Sequence, residues 1–266
     1  MYTIKNFTDN DDVNIIAQLG PFTVIEYKRD LSVTPMTAAT AFFSAHMNVR
    51  KRQVICDLKK ANITTQAGAM QWMLGDVNAT TGIKGVGDLF GKAVRGKMTG
   101  ESAIKPEYTG NGVLVLEPTY RYPILLNTAE WNGSVVLDDG LFLACDSALQ
   151  HKAVMRTNLS SAIAGGEGLF NLSLNGSGVF CIESECPREE LIEITLENDV
   201  LKVDGNFVIA WSNTLNFTVE RSGKSLIGSA ASGEGLVNVY RGTGKVLMMP
   251  VKGVSTNLRD QLALAR

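Results

Sequence analysis

An all-β fold built from three fused repeats with pseudo-threefold symmetry, carrying one or two short helices, is what this sequence predicts. Three observations lead there. A Gly-Glu pair followed by a Gly-x-Gly turn recurs at Gly100-Glu101 with Gly110 and Gly112, at Gly166-Glu167-Gly168 with Gly176 and Gly178, and at Gly233-Glu234-Gly235 with Gly242 and Gly244. The copies begin 66 and then 67 residues apart, and a near-constant period marks a duplicated supersecondary unit. Short β-leaning runs punctuated by Asp-Gly pairs fill the spaces between them, as Asp-Gly supplies the positive φ that tight turns require.

Taken in order, residues 13–20, 22–27 and 31–33 read as strands broken by the polar corner Lys28-Arg29-Asp30, a hairpin signal. Val24, Ile25, Tyr27, Leu31 and Val33 align on Val200, Leu201, Val203, Phe207 and Ile209 when the chain is shifted by 176 residues. Residues 135–144, around Asp138-Asp139-Gly140, predict a further hairpin of the same kind. The third Gly-Glu copy stops near Val251, so residues 13–35 are expected to complete it in space and close the threefold body. Closure removes exposed strand edges. The expected organisation is one domain over 1–266, with units at about 100–165, 166–232, and 233–251 completed by 13–99.

Between Met36 and Met98 the first unit carries extra material. Residues 37–47 are Ala-rich with weak helical or strand character, 53–58 reads as a strand, and 62–66 with 69–74 as a strand pair around Gly68. Residues 80–97 place apolar side chains near helical spacing, but their glycines each cost about 1 kcal/mol in a helix interior. A short helix or loop is expected there. Ser255-Thr256-Asn257 offers a cap before a terminal helix over 258–265.

Composition narrows function. The chain has 266 residues, 45% of them apolar, with 25 basic and 27 acidic residues, so no global positive field draws it to nucleic acid or anionic lipid. The amino terminus has no signal-like pattern and no apolar run is long enough for a bilayer, which leads to the expectation of a cytoplasmic protein. Cys56, Cys145, Cys181 and Cys186 are too few and scattered for a disulfide framework, and with only His46 and His151 beside them no zinc set forms.

Candidate chemistry is sparse. Glu101, Glu167 and Glu234 could act as bases or ligands were they to converge on a threefold axis, but glycine-flanked acids in every unit fit turn chemistry better. Asp146, Ser147 and His151 have the residue types of a triad without its sequence setting, and Gly223-Lys224-Ser225 is an incomplete phosphate loop. Arg50, Lys51, Arg52, Lys59 and Lys60 form a basic patch that could meet RNA or an anionic surface. Lys and Arg that protect a strand edge are the simpler reading. Phe42, Phe43 and Trp72 are read as core.

The Gly-Glu-Gly-Leu units, Ala67-Gly68-Ala69-Met70, and Gly242-Thr243-Gly244-Lys245-Val246 together resemble a family of uncharacterised bacterial and archaeal proteins. That family is related to a fungal mitochondrial biogenesis protein of the altered-inheritance-of-mitochondria set. The resemblance runs from about residue 20 to 251. It implies a β-sandwich like that of the trp RNA-binding attenuation protein (TRAP), with three units fused, and carries over no catalytic residue. The resulting expectation is a non-enzymatic structural or interaction module without cofactor, self-associating or bound to a protein partner or a membrane surface. A small-ligand or RNA binder of the TRAP kind is the alternative, and a metal-dependent enzyme a distant third.

Overall fold

The computed structural model describes residues 2–81, 105–155, 170–221 and 236–251. Strands dominate: β1 (Val13–Leu19), β2 (Phe22–Tyr27), β3 (Arg52–Asp57), β4 (Ile63–Thr65), β5 (Met70–Thr80) and β6 (Glu107–Leu116) form the first part. Then follow β7 (Tyr122–Asn127), β8 (Ser134–Leu137), β9 (Phe142–Asp146), β10 (Gln150–Met155), β11 (Phe170–Asn175) and β12 (Val179–Ser184). The last group is β13 (Ile192–Asp204), β14 (Val208–Ser212), β15 (Asn216–Arg221) and β16 (Leu236–Met248). One α-helix, α1 (Ala38–His46), and two short 3-10 turns complete the described elements. The all-β expectation holds.

A single arrangement occurs three times. A strand carrying Gly-x-Gly is flanked on both sides by the two strand segments that precede it in sequence. β6 lies between β5 and the pair β3 and β4. The β11 and β12 pair lies between β7 with β8 and β9 with β10, and β16 lies between β13 and the pair β14 and β15. Neighbouring units are stitched by short antiparallel junctions, β4 to β9 and β8 to β14. The result is a nine-stranded and a seven-stranded sheet.

Gly110, Gly176 and Gly242 share a φ of +120°, +116° and +119°. The sequence pattern predicts turns at these glycines. In β6 and β16 they instead lie within continuous strands and bend them, while in the second unit the same position parts β11 from β12. A Cβ at Gly110 or Gly112 would run into the carbonyl oxygen of Asp76 or Leu74, so the close approach of β5 requires glycine.

Local turns are therefore real but the hairpins inferred from them are not. Gly140 and Gly205 adopt φ +76° as the Asp-Gly signals require. Yet β8 and β9 enter different sheets, and β13 and β14 are held apart by β16. The strands over 62–66 and 69–74 exist, but each pairs with β6 and not with the other. At the amino terminus the hairpin turns at Gly20-Pro21, and 31–33 is not a strand because the chain leaves the sheet after Tyr27. That hairpin bonds to β3, not to the strand at 236–248. Among the described residues no strand closes the body in the way the 13–35 segment was expected to.

Three buried clusters back the sheets. Phe22, Val24, Val54, Ile63 and Leu114 pack under the first unit, Trp131, Leu137, Phe180 and Ile182 under the second, and Trp211, Tyr240 and Val246 under the third. The helix expected near 80–97 falls almost wholly outside the described residues, as does the one at 258–265.

Candidate functional site

The most unusual surface is the connection from β2 to β3. From Leu31 to Val49 no Asp, Glu, Lys or Arg occurs. Thr34 and Thr37 start its helix: the Thr34 carbonyl accepts from the Ala38 N–H at 2.9 Å, and Thr37 Oγ1 accepts from the Thr34 N–H at 3.0 Å. Asn48, with φ +63°, stops it. The Val49 N–H reaches back to the Ser44 carbonyl at 2.9 Å, the bond that closes a helix through a left-handed residue.

No residue of α1 is buried. Phe42 is 59% and Phe43 67% exposed, and Leu31, Met36 and Met47 are exposed beside them. Their sequence setting predicts core positions for both phenylalanines, and the structure corrects this. Their rings meet edge to face with centroids 5.5 Å apart, and His46 lies 4.3 Å from Phe42. Large contiguous apolar exposure marks interaction sites.

The base of this segment is clamped by charge. Arg29 Nε meets Asp12 Oδ1 at 2.5 Å, Lys51 pairs with Asp30, and Arg50 Nη1 meets Glu26 Oε1 at 2.9 Å. Arg52 is only 2% exposed. Its Nη2 lies 2.6 Å from Glu26 Oε2 as an ion pair and donates to the Asn48 carbonyl at 3.0 Å and to Asn48 Oδ1 at 2.7 Å. The guanidinium also sits 4.0 Å from the centroid of the Tyr122 ring, a cation–π contact. The Lys51 bond, with help from Ser32, holds the Asp30 carboxyl down at about 2.

A groove of about 480 Å³ opens beside this clamp, between β1 residues Ile16 to Leu19 and β7 residues Tyr122 to Leu125, with Arg52 and Asn48 in its wall. Of the expected basic patch, Arg50, Lys51 and Arg52 are thus engaged with carboxylates, and Lys60 Nζ points to the Gly20 carbonyl at 3.4 Å. Lys59 lies exposed next to it. The five cations do not form one open face for phosphate.

The other candidates resolve one by one. Ser147 Oγ shares a 2.9 Å hydrogen bond with Thr64 Oγ1, and Asp146 Oδ1 accepts from the Ala148 N–H. His151 lies exposed in β10, where partial desolvation and the nearby Lys105 charge push its pKa down. The three side chains have separate duties. All four cysteines are buried and unpaired by disulfide. Burial raises their thiols, Cys145 to about 12 and Cys186 to about 11, which removes the thiolate that nucleophilic or ligating chemistry needs. Among the described residues no group of three His, Cys, Asp or Glu side chains could hold a metal ion. Gly100, Glu101, Gly166, Glu167, Gly168, Gly233, Glu234 and Gly235 lie outside the described residues.

The uncharged segment could have been found from sequence. A run from 31 to 49 without charge, in a chain where 20% of residues are charged, is the signal, and its two phenylalanines are what make it look like core. No described helix is long and apolar enough to cross a membrane.

Comparison with known proteins gives consistent relatives. An uncharacterised protein of Streptococcus pyogenes serotype M6 is 31% identical over 193 residues, covering 70% of this chain and 75% of that protein. The crystal structure of a Streptococcus pyogenes protein from structural genomics superposes with a TM-score of 0.57 at 27% identity, covering 82% of this chain and 94% of that one. The pattern of the AIM24 family, described as mitochondrial biogenesis AIM24, matches residues 43–251. That span takes in all three repeats, and the chain belongs to the AIM24 mitochondrial biogenesis family.

Proposed function

We propose that this chain is a non-enzymatic interaction module that seats its uncharged segment, Leu31 to Val49, on a lipid surface. The observation that carries this is α1: a helix with no buried residue, flanked by exposed Leu31, Met36 and Met47 and presenting Phe42 and Phe43. A helix with no buried residue and only Ala41, Ser44 and Ala45 half-covered gains little from its own fold. Fully burying a large apolar side chain gains about 1.5–3 kcal/mol, and Phe42 and Phe43, 59% and 67% exposed, together offer roughly 2–4 kcal/mol. That is enough for reversible attachment but not for permanent anchoring, the range of a peripheral protein.

The clamp suits this role. Arg50, Lys51 and Arg52 pair with Glu26 and Asp30 at the base of the segment and leave one net positive charge, so the rim does not repel and only weakly attracts an anionic headgroup. Apolar insertion rather than charge supplies the affinity, and binding should respond little to salt. The test is flotation with neutral phosphatidylcholine vesicles. Wild type is expected to float, and the Phe42→Ser, Phe43→Ser double variant to stay at the bottom with an unchanged melting temperature. A wild-type chain that does not float at low or high salt sinks the proposal.

A further inference from the structure

Met73, Cys145 and Trp211 occupy one place in the three units, and so do Ile63, Val135 and Leu201. The first set faces Leu114, Phe180 and Val246, each two residues after the second glycine of Gly-x-Gly. The second faces Tyr108, Leu174 and Tyr240, each four residues before that glycine. The two inter-unit junctions obey one register in this frame. Ile63, Thr64 and Thr65 pair with Asp146, Cys145 and Ala144. Val135, Val136 and Leu137 pair with Ser212, Trp211 and Ala210.

The third junction that this rule generates joins Leu201, Lys202 and Val203 to Leu74, Met73 and Trp72. Within the chain it is not made. β13 pairs only with β16, and β5 only with β6. Among the described residues no backbone hydrogen bond reaches the outer edge of either strand. The consequence shows in burial: Cys145 and Trp211 are buried, whereas their counterpart Met73 is 42% exposed. Val136 and Thr64 are buried, and their counterpart Lys202 is exposed. Phe7 rests its ring against Trp72, 5.4 Å between centroids, but makes no ladder.

We propose that β13 of one chain pairs with β5 of a second copy, Leu201 opposite Leu74, completing between molecules the junction that already occurs twice within one. The two edges are different surfaces, so the contact is head-to-tail and extends into open chains unless geometry closes it. Continuing the register, Val200 meets Gly75 and Asp199 meets Asp76. Opposed carboxylates are unfavourable across a strand pair, which limits the junction to three or four pairs and makes association strengthen with salt. This inference rests on strand edges and is independent of α1.

The experiment combines sedimentation velocity over a concentration series with cross-linking of mixed single-cysteine variants. Wild type is expected to show an average mass that rises with concentration and with added salt. Met73→Lys, which places a charge on an exposed edge position, is expected to stay monomeric at an unchanged melting temperature, and the Phe42→Ser, Phe43→Ser variant to associate like wild type. Under mild oxidation, Leu74→Cys chains mixed with Leu201→Cys chains are expected to give a disulfide-linked pair. Leu74→Cys mixed with Lys202→Cys is expected to give none, because a slip of one residue turns the side chain to the other face. The native thiols are buried and do not compete. A wild type that remains monomeric, association that survives Met73→Lys, or a mixture of Leu74→Cys and Leu201→Cys chains that forms no disulfide-linked pair would each overturn the proposal.

Discussion

Removing Glu26 should unfold this protein more readily than its place near the surface suggests. Its side chain is 9% exposed and receives both Arg52 Nη2 at 2.6 Å and Arg50 Nη1 at 2.9 Å. Glu26→Ala leaves the Arg52 guanidinium sealed from water with its charge uncompensated. It keeps only the Asn48 and Arg50 oxygens and the Tyr122 ring as partners. Breaking such a buried pair from one side costs about 3–5 kcal/mol. Replacing both ends by apolar groups, Glu26→Leu with Arg52→Met, removes the stranded charge and should cost less than either single substitution. Arg50, a third exposed, can turn its head to water, and Asn48 retains the Tyr122 hydroxyl at 3.1 Å. Urea unfolding with an unchanged slope measures all three proteins. A Glu26→Ala loss below about 1 kcal/mol, the value of an exposed pair, would refute the burial argument, and so would a double variant whose loss equals the sum of the singles.

Other expectations follow from the same geometry. Asp30, held at about 2 chiefly by Lys51, has a lower pKa folded than unfolded. Its contribution is therefore complete above about pH 4 and disappears as pH falls through about 2; Asp30→Asn should flatten that part of a urea-midpoint profile against pH, and an unaltered profile would count against the clamp. Gly242→Ala imposes a Cβ at φ +119° and should cost upwards of about 1 kcal/mol, read as a lowered melting temperature, whereas a neutral result would show that β16 can straighten. The four thiols should not react with a disulfide reagent such as Ellman's until the protein unfolds, and rapid labelling in the folded state would contradict their burial.

Much of the local structure is legible in the sequence, and most of the pairing is not. Gly140 and Gly205 turn with the predicted positive φ, and strands stand near where alternating apolar residues place them. What a hairpin signal cannot reveal is that another strand lies between the two arms. β16 separates β13 from β14 although it arrives tens of residues later, and no local pattern encodes an insertion of that range. The repeat was visible through its glycines, but their role as bends within a strand depends on how closely Asp76 and Leu74 approach Gly110 and Gly112. At the candidate site the sequence showed the right residues with the wrong destiny. Phe42 and Phe43 look like core by composition, and only the course of the chain away from the sheet after Tyr27 shows that nothing covers them. Arg50, Lys51 and Arg52 look like a cationic face until Glu26 and Asp30, more than twenty positions away, are found beside them.

The clamp beneath the 31–49 segment separates the exposed apolar stretch from what keeps the protein folded. The ion pairs to Asp12, Glu26 and Asp30 secure both feet of the segment, and no α1 side chain is interior. The amino acids from Leu31 to Met47 are thus free to drift, lengthen or be exchanged by mutation without passing through an unstable intermediate, whereas Asn48 stays tied to Arg52 and Tyr122. The span shared with the AIM24 family begins at residue 43, so most of this segment lies outside the common part. A graft that swaps only residues 31–47 between relatives is expected to carry any attachment preference with it and leave the three-unit scaffold intact.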